Sequence, residues 1–282
     1  MRVWIDGRVL ESPDERAVSV LDHGLVVGDG VFETVKVEHG RPFALTPHLE
    51  RLSSSATGLG IGAPDAAAIR AGVAATLEGQ DLPFGRIRIT VTSGRGPLGS
   101  PRGDGPQTLV VVTEPCDRPP PVSRIVTVPW PRNERGALAG LKTTSYGENA
   151  LMVEEARARG ASEAVMPNTR GDVCEGTGSN LVYVLDGRVV TPTLAAGPLA
   201  GVTRGLLLEW AAGEVEIHEE DHPIEVLGAA EEVMLVGTTR DVQAIEQVDD
   251  RELAAPGPLT RQLQDVWARG SEQSPGLWGL DG

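Results

Sequence analysis

Of the 25 basic residues in the chain only Lys36 and Lys142 are lysines, the other 23 being arginines. An arginine fills a purely electrostatic role as well as a lysine, but only an amine can lose its proton and form a Schiff base. Lys142, in LAGLKTTSY, is therefore a candidate nucleophile. A carboxylate, Glu175, stands in CEGTGSN (174–180) at the end of an expected strand, among small residues that let a flat ligand approach closely. In AGVTRG (200–205) the amides of Val202 and Thr203 open an expected helix and, with the Thr203 hydroxyl, can hold a phosphate. VGTTRD (236–241) ends a strand on two hydroxyls, one of them Thr238, and HLERL supplies Arg51.

Singly these features have ordinary readings: a solvated glutamate, a helix cap, an arginine on a wet helix face. Together they are what pyridoxal phosphate needs. The lysine joins the aldehyde, the arginine and turn amides hold the phosphate, and the carboxylate keeps the pyridine nitrogen protonated so that the ring can take up electrons from the substrate α-carbon. GRGPLG (94–99) formally matches a dinucleotide-binding pattern, but the SPRGDGP that follows cannot open the helix such a site requires. A loop beside a pocket is the better reading.

The elements that must position these residues can be traced along the chain. VWIDGRVL reads as a hairpin and GDGVFETVKVEHGRPFAL as two strands turning at His39-Gly40. HLERLSSSATGLGI and DAAAIRAGVAATLEG have helical spacing, and GRIRITVTSG and QTLVVVTEP read as strands. Strand alternation along VFETVKV places Phe32, Thr34 and Lys36 on one face. The sequence thus predicts an N-terminal domain over 1–116, a proline-rich linker at 117–123, a C-terminal domain over 124–270 and a flexible tail at 271–282. Irregularly alternating helices and hairpins predict an α+β fold with mixed and antiparallel sheets.

A net charge of −15 argues against nucleic acid or an anionic membrane surface as the main partner. There is no apolar run long enough to span a bilayer and no apolar segment in MRVWIDGRVLESPDE, so a cytoplasmic enzyme is expected. Cys116 and Cys174 are far apart without zinc-like spacing, and no metal is expected.

In combination and order, GDGVFETVKV, HLERL, LAGLKTTSY, CEGTGSN, AGVTR and EVMLVGTT resemble the class IV (fold-type-IV) pyridoxal-phosphate aminotransferases, over nearly the whole chain. That family includes D-amino-acid transaminases, branched-chain aminotransferases and aminodeoxychorismate lyases. The resemblance implies a two-domain α+β fold with Lys142 as the catalytic Schiff-base residue and Glu175 at the pyridine nitrogen. Arg51, Val202, Thr203 and Thr238 would form the phosphate cup, and Tyr146 would meet the ring hydroxyl. Phe32, Thr34 and Lys36 would line the substrate side. No match to the family's Arg-x-His carboxylate clamp stands in SGRGPLGSPRG, where Arg95 or Arg102 could substitute. The implied activity is amino-group transfer between an amino acid and a 2-keto acid, D-amino acids favoured, by a homodimer. An aminodeoxychorismate lyase releasing pyruvate and 4-aminobenzoate is the alternative, and a branched-chain L-amino-acid aminotransferase comes third.

Overall fold

The computed structural model describes Met1–Gly282, divided by its backbone contacts into two compact units. The first comprises Met1–Arg118, Leu141–Tyr146 and Ser274–Gly282, and the second Pro119–Gly140 and Gly147–Gln273.

The first unit contains β1 (Arg2–Ile5), β2 (Arg8–Val9), a short α1 (His23–Val26), β3 (Gly30–Glu38), β4 (Arg41–Pro42), α2 (Leu45–Leu59), α3 (Ala66–Leu77), β5 (Phe84–Thr92) and β6 (Thr108–Pro115). Its strands form one antiparallel sheet in the order β2-β1-β6-β5-β3-β4. Period-two alternation decides which face is covered. Val31, Val35 and Val37 of β3 and Ile87, Ile89 and Val91 of β5 point inward, where they meet Leu45, Leu49 and Leu52 of α2 and Ile69 and Val73 of α3. The intervening residues, Phe32, Thr34 and Lys36 on β3 with Thr90, Arg88 and Arg86 opposite them on β5, occupy the other face. The helices begin and end where local chemistry predicts: Asp65 caps α3 by accepting from the Ala67 and Ala68 amides, and α2 stops at Gly60, whose φ of +79° suits a residue without a Cβ.

The second unit contains β7 (Val122–Thr127), α4 (Gly147–Ala158), β8 (Glu163–Pro167), β9 (Val173–Gly176), β10 (Asn180–Leu185), β11 (Arg188–Thr191), α5 (Val202–Ala211), β12 (Ile217–Glu219), β13 (Glu232–Gly237), β14 (Asp241–Val248), β15 (Arg251–Glu252) and α6 (Pro258–Gln273). Its mixed sheet runs β12-β11-β10-β13-β14-β7-β8-β9, with β15 paired to β14. Parallel pairing occurs at β11·β12, β14·β7 and β7·β8. Ile125, Leu181, Tyr183, Leu235 and Ile245 belong to one core layer, and Met152 and Ala156 of α4 pack with Ala164, Met166 and Cys174 in another. No helix is long and apolar enough to cross a membrane.

The chain passes from the first unit to the second between Arg118 and Pro119. Two sequence expectations need correction. Residues 141–146 lie not in the second unit but in the first, where they form a short extra strand against the start of β3, described below. The expected tail is not loose: Trp278 packs on Phe43 with ring centroids 4.7 Å apart, Leu277 O accepts from the Ala44 amide at 2.7 Å, and Pro42 O accepts from Gly279 N at 2.9 Å. One aromatic contact and these backbone bonds are enough to order a short terminal segment.

Candidate active site

In the first unit, LKTTSY is held in register by its backbone. Phe32 N donates to Lys142 O at 3.0 Å, Thr144 N donates to Gly30 O at 2.8 Å, and Val31 bridges Thr143 antiparallel. Lys142 therefore stands directly across from Phe32 and shares its face, away from α2 and α3. The ammonium nitrogen lies 4.5 Å from the Phe32 ring centroid and 5.7 Å from that of Tyr146, and the two rings meet edge to face at 4.9 Å. Behind the lysine, Ser55 Oγ of α2 accepts from the Lys142 amide at 3.2 Å. Thr144 and Ser145 both donate their hydroxyls to Gly28 O, at 2.9 and 3.1 Å. The segment packs so tightly on Gly28 that a Cβ there would lie 2.8 Å from Ser145 Oγ.

Arg51 is anchored by a group that sequence reasoning missed. Glu33 lies on the inward face of β3, fully buried, and accepts from Arg51 Nε and Nη2, both at 2.7 Å, while His48 Nδ1 lies 2.8 Å from its Oε2. Burial alone would raise the Glu33 pKa, but the Arg51 charge and the hydrogen bonds from Arg51 and His48 overcome it and hold the carboxyl down at about 2. His48 is pushed below its ordinary value by burial, against the pull of Glu33, so it acts as a neutral donor rather than half of an ion pair. The signal was present in the chain: an acid alternating with Val31 and Val35 on a covered face needs a cation, and HLER offers a histidine and an arginine three positions apart.

In the second unit, Glu175 ends β9 with its carboxylate fixed at both oxygens. Oε2 accepts from Leu199 N at 2.9 Å and Oε1 lies 3.1 Å from Arg132 Nη2. The same loop leads to the start of α5: Asn180 donates its side-chain amide to Leu199 O at 2.9 Å, and a Cβ added to Gly201 would run into Asn180 Oδ1. Gly201, the N-cap of α5, offers no side-chain cap, so the amides of Val202 and Thr203 and the helix dipole address whatever stands before them. Gly237 lies against Gly178 and Ser179, which brings the turn bearing Thr238 to the same end of the sheet as the loop after Glu175. Glu175, Val202, Thr203 and Thr238 are thus neighbours within this unit, an acid beside a cradle of amides and hydroxyls.

Of the proposed substrate residues, Arg102 and Lys36 have other commitments. Arg102 forms a two-pronged ion pair with Asp29, both N–O distances 2.7 Å, and also donates to Leu59 O and Gly60 O. The Arg102 hydrogen bond correspondingly holds Asp29 below the usual carboxylate range. Arg102 therefore braces the 94–106 loop against the end of α2. Arg95 is exposed on that loop, where its backbone bridges Asp22. Lys36 is buried, 3.3 Å from Glu38 and 5.0 Å from the Phe43 ring centroid. Thr34 lies directly opposite Arg88 on β5.

The chain belongs to the family described as Amino-transferase class IV, which it matches over residues 30–248. It is 32% identical over 275 residues to a protein of Methanocaldococcus jannaschii named "Putative branched-chain-amino-acid aminotransferase", 94% of each chain being covered. It is 28% identical over 272 residues to the D-alanine aminotransferase of Bacillus licheniformis, covering 94% of this chain and 95% of that one. The fold superposes on the branched-chain aminotransferase of Thermoproteus uzoniensis, solved with norvaline, with a TM-score of 0.89 at 28% identity, covering 99% and 98% of the two chains.

Proposed function

We propose that the protein transfers amino groups between amino acids and 2-keto acids, with D-amino acids the preferred donors. The observation that carries the reading is the lysine amine of the first unit, set beside the rings of Phe32 and Tyr146; in the second unit a carboxylate adjoins an uncapped helix start. Pyridoxal phosphate fits the residues present. Gly201 cannot bear a side chain, so the amides of Val202 and Thr203 stand open to a phosphate, and Glu175 is already oriented by Arg132 and Leu199 N. Lys142 would take the aldehyde, Glu175 the pyridine nitrogen and Tyr146 the ring hydroxyl. Arg51, Thr203 and Thr238 would complete the phosphate cup, with Arg51 oriented by Glu33.

When bound, the cofactor supplies an aldehyde that holds amines and a ring that accepts the electron pair freed at the substrate α-carbon. Lys142 Nζ then moves the proton from that carbon, as a base placed on one face of the substrate. Glu175, through its negative charge, would keep a proton on the ring nitrogen. Glu175→Gln is expected to slow proton removal about 10²-fold or more, the scale of losing one preorganised charge at a reacting centre. Rapid-mixing absorbance measures it, and an unchanged rate would remove Glu175 from this role.

The name shared by relatives such as that of Bacillus licheniformis supports D-amino acids, whereas the Methanocaldococcus relative favours branched-chain L-amino acids as the second reading. The deciding experiment mixes the holoenzyme with D-alanine, D-glutamate and L-leucine and follows the cofactor's visible band. Faster conversion by a D-amino acid is expected. Conversion by L-leucine alone would move the assignment to the branched-chain class, and no conversion together with pyruvate release from aminodeoxychorismate would make the protein a lyase. The same reading includes a cytoplasmic homodimer. Val18, Val20, Leu25 and Val27, all exposed on one stretch of the first unit, are the kind of apolar surface a subunit contact covers.

A further inference from the structure

We propose that Glu163 is a positioning residue for the phosphate cradle, holding in place two turns of the second unit without itself touching the ligand; the inference rests on the cofactor reading and deepens it. Glu163 opens β8 and is buried. From the turn after β9, Thr177 donates its amide to Oε1 at 2.9 Å and its hydroxyl to the same oxygen, and Ser179 donates its hydroxyl to Oε2 at 3.3 Å. From the turn between β13 and β14, the Arg240 guanidinium reaches Oε2 at 3.4 Å.

The first of these turns runs from Glu175 to Asn180, the residue that holds Leu199 O, and the second carries Thr238. They meet at Gly237, where a Cβ would stand 3.5 Å from Gly178 O. Glu163 adds directional bonds to that contact. A carboxylate accepts at both oxygens and donates at neither, so it suits the donors that converge on it, whereas an amide in its place would aim N–H bonds at one set of them. By charge alone a buried acid would oppose an anion bound in the same unit, but Arg240 offsets that charge and leaves geometry as the acid's contribution. Turns fixed in advance spare a phosphate the cost of ordering them on binding. Glu232 provides the contrast. It too is buried and accepts from backbone amides, Leu259 at 3.1 Å and Thr260 at 2.7 Å, but these open α6, which carries no part of the cradle.

The inference predicts a defect confined to the phosphate. Wild type, Glu163→Gln, Ser179→Ala and Glu232→Gln, each freed of cofactor, are titrated with pyridoxal phosphate and with pyridoxal, which lacks the phosphate, by following the visible band. Calorimetry with inorganic phosphate and a thermal melt accompany each. Glu163→Gln is expected to weaken pyridoxal phosphate and inorganic phosphate about tenfold, the scale of one or two hydrogen bonds, while pyridoxal changes less than about twofold. Ser179→Ala removes one donor only and should lose about threefold on the same two ligands; it decides the matter if Glu163→Gln does not fold. Glu232→Gln should lower the melting temperature and leave the ratio of the two aldehyde affinities unchanged. Equal loss on both aldehydes, an unchanged ratio in Glu163→Gln, or the same change of ratio in Glu232→Gln would overturn the inference. Should pyridoxal fail to bind wild type, the loss on inorganic phosphate decides in its place. A wild type that binds neither aldehyde removes the transaminase reading by itself, and inorganic phosphate then decides Glu163 alone, its failure to bind wild type overturning this inference as well.

Discussion

Lys142→Ala is expected to lose amino-group transfer by at least about 10⁴-fold, because one side chain supplies both the nucleophile and the proton carrier, each of which contributes several orders of magnitude. Lys142→Arg should be equally inactive despite keeping its charge, since a guanidinium does not give up its proton. Neither change should unfold the protein: the segment is fixed by Phe32 N to Lys142 O and Thr144 N to Gly30 O, bonds that belong to the backbone whatever the side chain. Single-turnover absorbance with the best donor and a thermal melt check both halves. Activity within tenfold of wild type in Lys142→Ala would remove the lysine from the chemistry. Lost activity with a collapsed melt would assign it a structural role instead.

The second large effect falls on stability. Glu33→Gln leaves the Arg51 charge without its partner beneath the sheet, a change that costs roughly 3–5 kcal/mol for buried pairs, and the melting temperature should fall by about 10 °C. The acid limb of the stability curve has a defined sign. The folded-state pKa of Glu33, about 2, lies below its ordinary 4.5, so the stabilisation is complete above that ordinary value and drains away as the pH falls towards 2. His48, also depressed, adds a loss that begins as the pH drops below its ordinary 6.5, since the unfolded chain then takes up a proton that the folded histidine refuses. Melts of wild type between pH 7 and pH 3 should therefore show stability falling steadily. In Glu33→Gln the part below about pH 4.5 should flatten. A shift of less than 2 °C at neutral pH would show that Arg51 finds equal compensation elsewhere.

How far such groups can be read from the chain depends on how local their determinants are. Lys142 is conspicuous because its chemistry is rare in this sequence, and Val202 and Thr203 because a helix start after a glycine is a local pattern. The strand alternation that separates Phe32, Thr34 and Lys36 from the valines is equally local, and the register of β3 with β5 follows it. Other roles depend on long-range pairing. Arg102 resembles a free loop arginine until folding brings in Asp29, 73 positions away. Glu33 could have been suspected from its inward position, but its answer lies on a different element, α2.

The short strand at Lys142 also constrains how the loop before it can vary in length. Because neighbours along an extended backbone point to opposite sides, a one-residue insertion between Lys142 and the Thr144 to Gly30 bond would turn the amine through the sheet, towards Ser55 and the helices. Upstream, the turn at Gly140, with φ +75° and nothing within 4 Å of where a Cβ would stand, has slack to absorb an added residue. Tolerance to insertions and deletions should therefore change abruptly between Gly140 and Lys142, with reactive and inert proteins separated by a single codon.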